Sequence, residues 1–290
     1  MYYGLIILSV VMFGANFALN DVYRQTRGSS IRASLEFNLF GGLAGIIVLF
    51  AFNGIVLEFT PLTLLMSLLS AINSFAFTFC GFKALGSINL SLYSLFSMLG
   101  GMLLPFVQGI TFYGEEITVA KALCFAFILA ALLLTVEKSD KRGGLIYYVG
   151  IFVLNGMSGV INKLYNTAPF EKASAAGYSI MSAMWCVLIS SLLLIFLFRK
   201  GKETPSLSYK SAGIATVGGS ISRVANFILV LSLEHVENSV QYPMVTGGVI
   251  IVSTLICFFG KNKPKNKELI SVALSFVGLL ILFLIPMIIN

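Results

Sequence analysis

Ten apolar runs, separated by short polar connections, are the feature that most constrains how this chain folds. A helix that crosses the hydrocarbon core of a bilayer needs about 20 predominantly apolar residues. The runs cover approximately residues 2–20, 33–53, 61–82, 89–110, 117–136, 144–162, 174–198, 211–232, 239–259 and 268–288. Turn-forming pairs such as Asn53-Gly54 and Thr60-Pro61 mark several of their ends. The pattern predicts an all-α polytopic membrane protein with ten transmembrane helices.

The composition excludes a sizeable water-exposed domain. Of the 290 residues, 58% are hydrophobic and 11% are charged, whereas soluble domains carry about 25% charged residues. The first run begins Met1-Tyr2-Tyr3, without a basic segment or a cleavage site, so we expect a retained helix rather than a removed signal peptide. The four cysteines stand singly inside apolar runs, without the clustering of metal or redox sites. We therefore predict no cofactor and no bound metal.

Lys and Arg residues are distributed unequally between alternate connections. Numbered along the chain, the odd connections and adjoining helix ends hold fifteen of them, and the even ones hold three: Lys121, Lys163 and Lys172. Short loops rich in Lys and Arg stay in the cytoplasm. We therefore expect both termini to be extracytoplasmic, in a multi-pass protein of the plasma or inner membrane. Because the basic residues are scattered over five short connections, a nucleic-acid partner is not expected.

The two halves of the sequence resemble each other. The first and sixth helices match at an offset of 142, which pairs Gly14, Asn20 and Tyr23 with Gly156, Asn162 and Tyr165. The fourth and ninth helices match at an offset of 147, which pairs Ser91, Ser94, Gly100 and Gly101 with Asn238, Gln241, Gly247 and Gly248. The sequence therefore predicts two five-helix repeats, residues 1–140 and 141–290. Because five is odd, the repeats would cross the bilayer in opposite directions, as is typical of secondary transporters.

Two segments carry a family resemblance: Phe112-Tyr113-Gly114-Glu115-Glu116-Ile117-Thr118 after the fourth helix, and Tyr242-Pro243-Met244-Val245-Thr246-Gly247-Gly248 in the ninth. With the five-plus-five arrangement, they resemble the EamA-like transporters of the drug/metabolite transporter superfamily over the whole chain. Family members usually have a Gly-Glu-x-x-Thr-like element after both helices, whereas the second copy here reads Gly260-Lys261-Asn262-Lys263. The resemblance implies a central site lined by helices one, three, four, six, eight and nine. Glu115 and Glu116 are expected to mark a helix start.

Two ionisable residues stand out inside the predicted spans, where a charge is costly unless it is paired or hydrated. Arg223 lies near the middle of the eighth helix, and its guanidinium could bind a carboxylate or phosphate of a substrate. Alternatively, it pairs permanently with Glu36 or another acid and holds helices together. Glu36 lies about one turn into the second helix. It is a candidate proton-coupling group, because burial raises a carboxyl pKa; the alternative is an interfacial acid whose side chain reaches the lipid headgroups.

Polar residues at helical spacing outline a candidate cavity. Ser and Gly in such stripes are also explained by close helix packing, but several amides are hard to satisfy in a dry bundle. The predicted substrate-binding residues are Asn16, Asn20, Asn73, Tyr93, Ser94, Asn155, Arg223, Asn226, Gln241 and Tyr242. The Gly-rich fourth and ninth helices could equally serve a dimer interface, so a monomer and a homodimer both stay open.

These features favour a secondary transporter that moves a small polar or amphipathic metabolite, such as an amino acid, an amine or a related solute, by alternating access. Export is the expected direction, and import stays open. The sequence contains no GxxxxGK[ST] nucleotide loop, so a proton or substrate gradient would supply the work. The alternatives are an intramembrane lipid-modifying enzyme and a non-transporting scaffold or receptor. An enzyme would need paired acids or a His beside a nucleophile, and His235 is the only histidine.

Overall fold

The computed structural model describes the backbone of residues 1–28, 30–87, 90–134, 145–199, 208–259 and 265–289. Within these ranges all regular secondary structure is helical, and no strand occurs. The described helices are α1 (Tyr2–Arg27), α2 (Ile31–Phe52), α3 (Pro61–Ser87), α4 (Leu90–Tyr113), α5 (Val119–Leu134), α6 (Leu145–Thr167), α7 (Ala175–Arg199), α8 (Tyr209–Ser232), α9 (Asn238–Phe259) and α10 (Asn266–Ile289). Each corresponds to one predicted apolar run. The prediction of an all-α protein is confirmed.

Helices α1 and α6 continue past their apolar runs, and tertiary hydrogen bonds hold their polar ends. Helix α1 ends at Arg27, and the hydroxyl of Tyr23 in its last turns donates to the carbonyl of Ala33 at 2.8 Å. Helix α6 ends at Thr167, and the side-chain amide of Asn166 donates to the carbonyl of Val230 at 2.6 Å. Hydropathy predicted earlier ends for both helices, since it carries no information about these distant partners.

Seven of the described helices are long and apolar enough to cross a membrane: Tyr2–Arg27, Ile31–Phe52, Phe96–Tyr113, Ala175–Leu197, Tyr209–Ser232, Asn238–Ile256 and Asn266–Ile285. Two further apolar stretches, Pro61–Phe77 and Val119–Leu134, are shorter. By length and composition, the described helices therefore give the chain the character of a multi-pass helical membrane protein.

Helices from the two halves of the chain pack mainly against each other. Helix α1 packs on α8 and α9, α6 packs on α3 and α4, α2 packs on α7 and α8, and α5 packs on α10. Buried hydrophobic side chains from α1, α4, α5, α8, α9 and α10 form one core cluster that includes Ile6, Met102, Ile128, Met244 and Leu282. The segments 1–140 and 141–290 thus share one interleaved bundle, and the division into repeats stays a sequence prediction.

One close contact between the halves joins two glycines, Gly41 of α2 and Gly219 of α8. A Cβ built on Gly219 would lie 2.2 Å from the Cα of Gly41, and one built on Gly41 would lie 2.5 Å from the Cα of Gly219. No side chain fits at either position, so the two backbones touch. Small residues of this kind are what allow helices in a bilayer to approach closely.

Candidate functional site

A cavity of about 600 Å³ lies between the halves. Its lining comes from α1, α2, α3, α4, α6, α8 and α9, with Ser182 from α7. The resemblance to EamA-like transporters implied six of these helices. It did not imply α2, or the single residue from α7. The stripe Gly41, Gly42 and Gly45 was the available signal for α2, since a glycine stripe in an apolar helix indicates close helix approach.

The structure brings seven of the ten predicted substrate-binding residues to this cavity: Asn16, Asn20, Asn73, Asn155, Arg223, Asn226 and Tyr242. The side chains of Tyr93 and Ser94 lie outside the described residues. Gln241 is fully buried and does not line the cavity, and its Nε2 donates to the carbonyl of Leu229 at 3.0 Å. The sequence placed Gln241 on the same stripe as Tyr242, although adjacent residues on a helix point about 100° apart.

Arg223 lies on α8 with the start of its side chain against α2. A Cβ built on Gly45 would lie 2.8 Å from Cγ of Arg223, so the glycine provides the space that the arginine stem occupies. The contacts of Gly41 with Gly219 and of Gly45 with Arg223 are one helical turn apart on both helices. Arg223 is half-buried and has no ion pair or hydrogen bond with any residue that the structure describes.

Glu36 does not pair with Arg223, although the sequence offered it as a partner. Its carboxylate accepts hydrogen bonds from Nε and Nη2 of Arg27, both at 2.8 Å, and from Nε of Arg32 at 2.9 Å. The side chain is 8% exposed and does not line the cavity. These contacts connect the end of α1 to the start of α2. Glu36 therefore lies in a buried ion pair at a helix junction, neither in the cavity nor free among the headgroups.

Two asparagines in the cavity are held by neighbouring backbone. The Nδ2 of Asn73 on α3 donates to the carbonyl of Leu154 at 2.8 Å, and the Nδ2 of Asn155 on α6 donates to the carbonyl of Ser97 at 2.6 Å. Close packing makes room for the second bond, since a Cβ on Gly101 would lie 2.7 Å from Nδ2 of Asn155. These bonds fix the orientation of both amides and leave their oxygens as the available acceptors.

Two further polar atoms at the cavity are buried and unpartnered. The Oδ1 of Asn16 and the hydroxyl of Tyr242 have no hydrogen-bond partner among the described residues. Buried polar atoms normally have partners, and exceptions at a cavity are typical of groups that bind water or a ligand. Asn38 and Thr246 also line the cavity and were missed, although Thr246 lies one turn after Tyr242.

Polar side chains close the end of the bundle formed by the even-numbered connections. The carboxylate of Glu115 accepts the backbone N–H groups of Asn238 at 2.9 Å and of Ser239 at 2.8 Å. Nζ of Lys163 lies 4.0 Å from the same carboxylate. Lys121 makes an ion pair with Glu237. These contacts join the connections 114–118 and 233–237 to each other and to α6.

A second capping contact lies at the same end. Glu58 accepts a hydrogen bond from the backbone N–H of Ser174, at 2.5 Å, and another from its hydroxyl, at 2.9 Å. The N–H bond from Ser174 holds the pKa of the Glu58 carboxyl below its ordinary value. The cavity lining contains no described residue of the connections 53–60, 114–118, 168–174 or 233–237, whereas it reaches Gly28 at the opposite end. The cavity thus extends toward the odd-numbered connections.

The fold and the site together define a multi-pass helical protein with a cavity between its halves that both polar and apolar side chains line. Neither a family model nor a curated protein matches the chain. A solved structure described only as "Crystal structure of protein" is similar over 99% of this chain and 98% of its own, with a TM-score of 0.70 and 19% sequence identity. This likeness shows a shared fold. Among the described residues, no group of three His, Cys, Asp or Glu could hold a metal ion.

Proposed function

We propose that this protein is a secondary transporter that moves a small polar solute across a membrane by alternating access. The observation that carries the proposal is the cavity of about 600 Å³, which many polar side chains line together with apolar ones and which is covered at the end where Glu58 and Glu115 hold the connections. A solute site near the middle of a bundle, accessible from one side at a time, is what this mechanism requires.

The helix contacts support an inverted repeat. If α1 corresponds to α6, α3 to α8 and α4 to α9, then the contacts of α1 with α8 and α9 correspond to those of α6 with α3 and α4. Matching glycines lie at two of these interfaces: Gly14 is against Val252 of α9, and Gly156 is against the carbonyl of Gly100 on α4. Two equivalent sets of contacts supply the two related states that rocking motion exchanges.

The Lys and Arg distribution assigns a side to the cavity. With the odd connections in the cytoplasm, the ten helices cross the plasma or inner membrane, both termini are extracytoplasmic, and the present arrangement is open inward. A reporter fused after Asn290 and active only outside the cytoplasm should score positive. Cytoplasmic fluorescence from a fusion at the same place would reverse the orientation without affecting the cavity.

The resemblance to EamA-like transporters agrees with this proposal in helix number, repeat order and the helices that surround the cavity. Because the sequence has no GxxxxGK[ST] loop, a gradient of protons or of the solute is the proposed energy source. Export of a metabolite is the proposed direction.

Accessibility labelling tests alternating access without knowledge of the solute. In a chain whose four native cysteines are replaced by serine, Ser158→Cys places one thiol in the cavity lining. A membrane-impermeant thiol reagent should label it readily from the side of the odd connections. During transport the same thiol should also react from the opposite side.

A matched control keeps this test specific. Ser275→Cys on α10 is fully buried and outside the cavity lining, so it should stay unlabelled from both sides. Labelling of Ser158→Cys from one side under all gradients, and with every solute in an exported-metabolite panel, would contradict the proposed function.

A further inference from the structure

The charge balance of the cavity points to one class of ligand. Arg223 is the one charged side chain among the described residues that line it. Glu36, the acid that the sequence offered as its partner, is held by Arg27 and Arg32. A cation inside a membrane protein is costly unless an anion or water compensates it. Since the described cavity lining supplies no carboxylate, the compensating anion can come with the ligand.

Three amide oxygens at the cavity are left to accept hydrogen bonds. Because the Nδ2 groups of Asn73 and Asn155 are engaged by the carbonyls of Leu154 and Ser97, each side chain has its Oδ1 left to accept. Oδ1 of Asn16 is buried without a partner among the described residues. It lies close to α8, since a Cβ on Gly218 would be 3.4 Å from it. A ligand that satisfies these oxygens must carry hydrogen-bond donors.

We infer that the cavity binds a small organic anion that also carries hydroxyl or amide N–H donors. Its carboxylate or phosphate binds the guanidinium of Arg223, which suits planar bidentate contacts with either group. Its donors bind the oxygens of Asn16, Asn73 and Asn155. A net negative ligand is favoured over a zwitterion, because the described lining has no acid to balance an ammonium group. The inference takes its site from the proposed function, but it concerns binding and not movement.

Helix packing prepares Arg223 for this role. Its Cβ and Cγ lie against Gly45, where an added Cβ would be 3.0 and 2.8 Å away, and the contact of Gly41 with Gly219 fixes the two helices one turn earlier. A guanidinium on a stem held in this way loses less conformational freedom on binding than a free side chain would. Gly45→Ala should therefore weaken anion binding while leaving the charge in place.

Ligands of similar size and different charge test the inference directly. Glycerate is an anion, serine a zwitterion and glycerol neutral, and glycerol 3-phosphate separates phosphate from carboxylate recognition. The measurement is the unfolding temperature of the purified full-length protein in detergent, because a ligand that binds the folded state raises it. We expect glycerate, glycerol 3-phosphate or both to raise the unfolding temperature at millimolar concentration, and serine and glycerol to have little effect.

Variants then test whether anion binding depends on Arg223 itself or only on the positive charge of the protein. Arg223→Gln should weaken anion binding by about tenfold or more, because it removes a charge-assisted bidentate contact. Lys210→Gln removes one exposed positive charge from the same helix and should bind as the unaltered protein does. If Arg223→Gln does not fold, Arg223→Lys keeps the charge without the planar fork and should show an intermediate loss.

Three outcomes would overturn the inference: serine or glycerol stabilising as strongly as the anions, an unchanged response in Arg223→Gln, or no response to either anion. Its failure is distinguishable from that of the proposed function. If anions bind but Ser158→Cys is never labelled from both sides, the inferred ligand class stands and the proposed transport function is contradicted. If a neutral or zwitterionic solute is transported and no anion binds, the transport function stands and the inferred ligand class is contradicted.

Discussion

The carboxylate of Glu115, between α4 and α5, accepts the backbone N–H of Asn238, the first residue of α9, at 2.9 Å. The next N–H, of Ser239, binds the other carboxylate oxygen. Both acceptor atoms are thus used at a helix N-terminus, where unpaired N–H groups and the helix dipole favour an anion. Asn238 and Ser239 are fully buried, so water cannot replace the carboxylate without rearrangement.

Glu115→Ala should lower the free energy of unfolding by about 2–3 kcal/mol, because it leaves two buried N–H groups unpaired. Glu115→Gln should cost less, since it keeps one acceptor oxygen. The matched control is Glu116→Gln, whose side chain is exposed and should change the unfolding temperature little. Equal effects of Glu115→Ala and Glu116→Gln on thermal unfolding in detergent would show that the cap does not stabilise the fold.

Glu58 makes stability at this end of the bundle dependent on pH. Its folded pKa is lower than its ordinary value of 4.5 because the N–H of Ser174 binds the ionised form. A carboxyl of this kind stabilises the fold fully above its unfolded pKa, and the contribution is lost as the pH falls from 4.5 through the lower folded value.

We therefore expect Glu58→Gln to unfold at a lower temperature than the unaltered protein at neutral pH, with the difference shrinking as the pH is lowered below 4.5. Thermal unfolding at a series of pH values measures this. Glu171→Gln removes an exposed acid from a neighbouring connection and should show no such convergence. A difference for Glu58→Gln that stays constant across the series would mean that ionisation of Glu58 is not involved.

Hydropathy predicted where the helices are, and helical spacing predicted most of the cavity, because both depend on residues close together in sequence. Asn16, Asn155 and Arg223 were found in this way. The partners of Glu115 and Glu36 were not. Glu115 and Glu116 were expected to mark a helix start, but the helix whose first N–H groups bind the Glu115 carboxylate is α9, 123 residues away, rather than the adjacent α5. The residues next to Glu115 in the sequence contain no information about such a distant partner.

The contact between Gly41 and Gly219 gives a test of the interface beside the cavity. Gly219→Ala would place a methyl group 2.2 Å from the Cα of Gly41, so α2 and α8 must separate. Overpacking of this kind costs about 1–3 kcal/mol, and we expect lower thermal stability and lower flux. Gly213→Ala lies on the same helix with nothing within 4 Å of the added Cβ, and helix propensity should make it neutral or slightly stabilising. Equal stability of the two variants would contradict the close contact.

Substitution of Glu36 tests whether its charge stabilises the fold or couples transport to protons. Its carboxylate accepts three hydrogen bonds from Arg27 and Arg32, and removing one partner from a buried ion pair costs about 3–5 kcal/mol. Glu36→Gln should therefore lower the unfolding temperature markedly. Flux that remains should still respond to an imposed pH gradient, because Glu36 lies outside the cavity lining and its hydrogen bonds hold α1 to α2.

Arg32→Gln is the control variant for Glu36→Gln. It keeps the carboxylate of Glu36 and its hydrogen bonds to Arg27, so it should lower the stability less. If Glu36→Gln instead had normal stability and its flux no longer responded to the pH gradient, Glu36 would be the proton-coupling group that the sequence suggested.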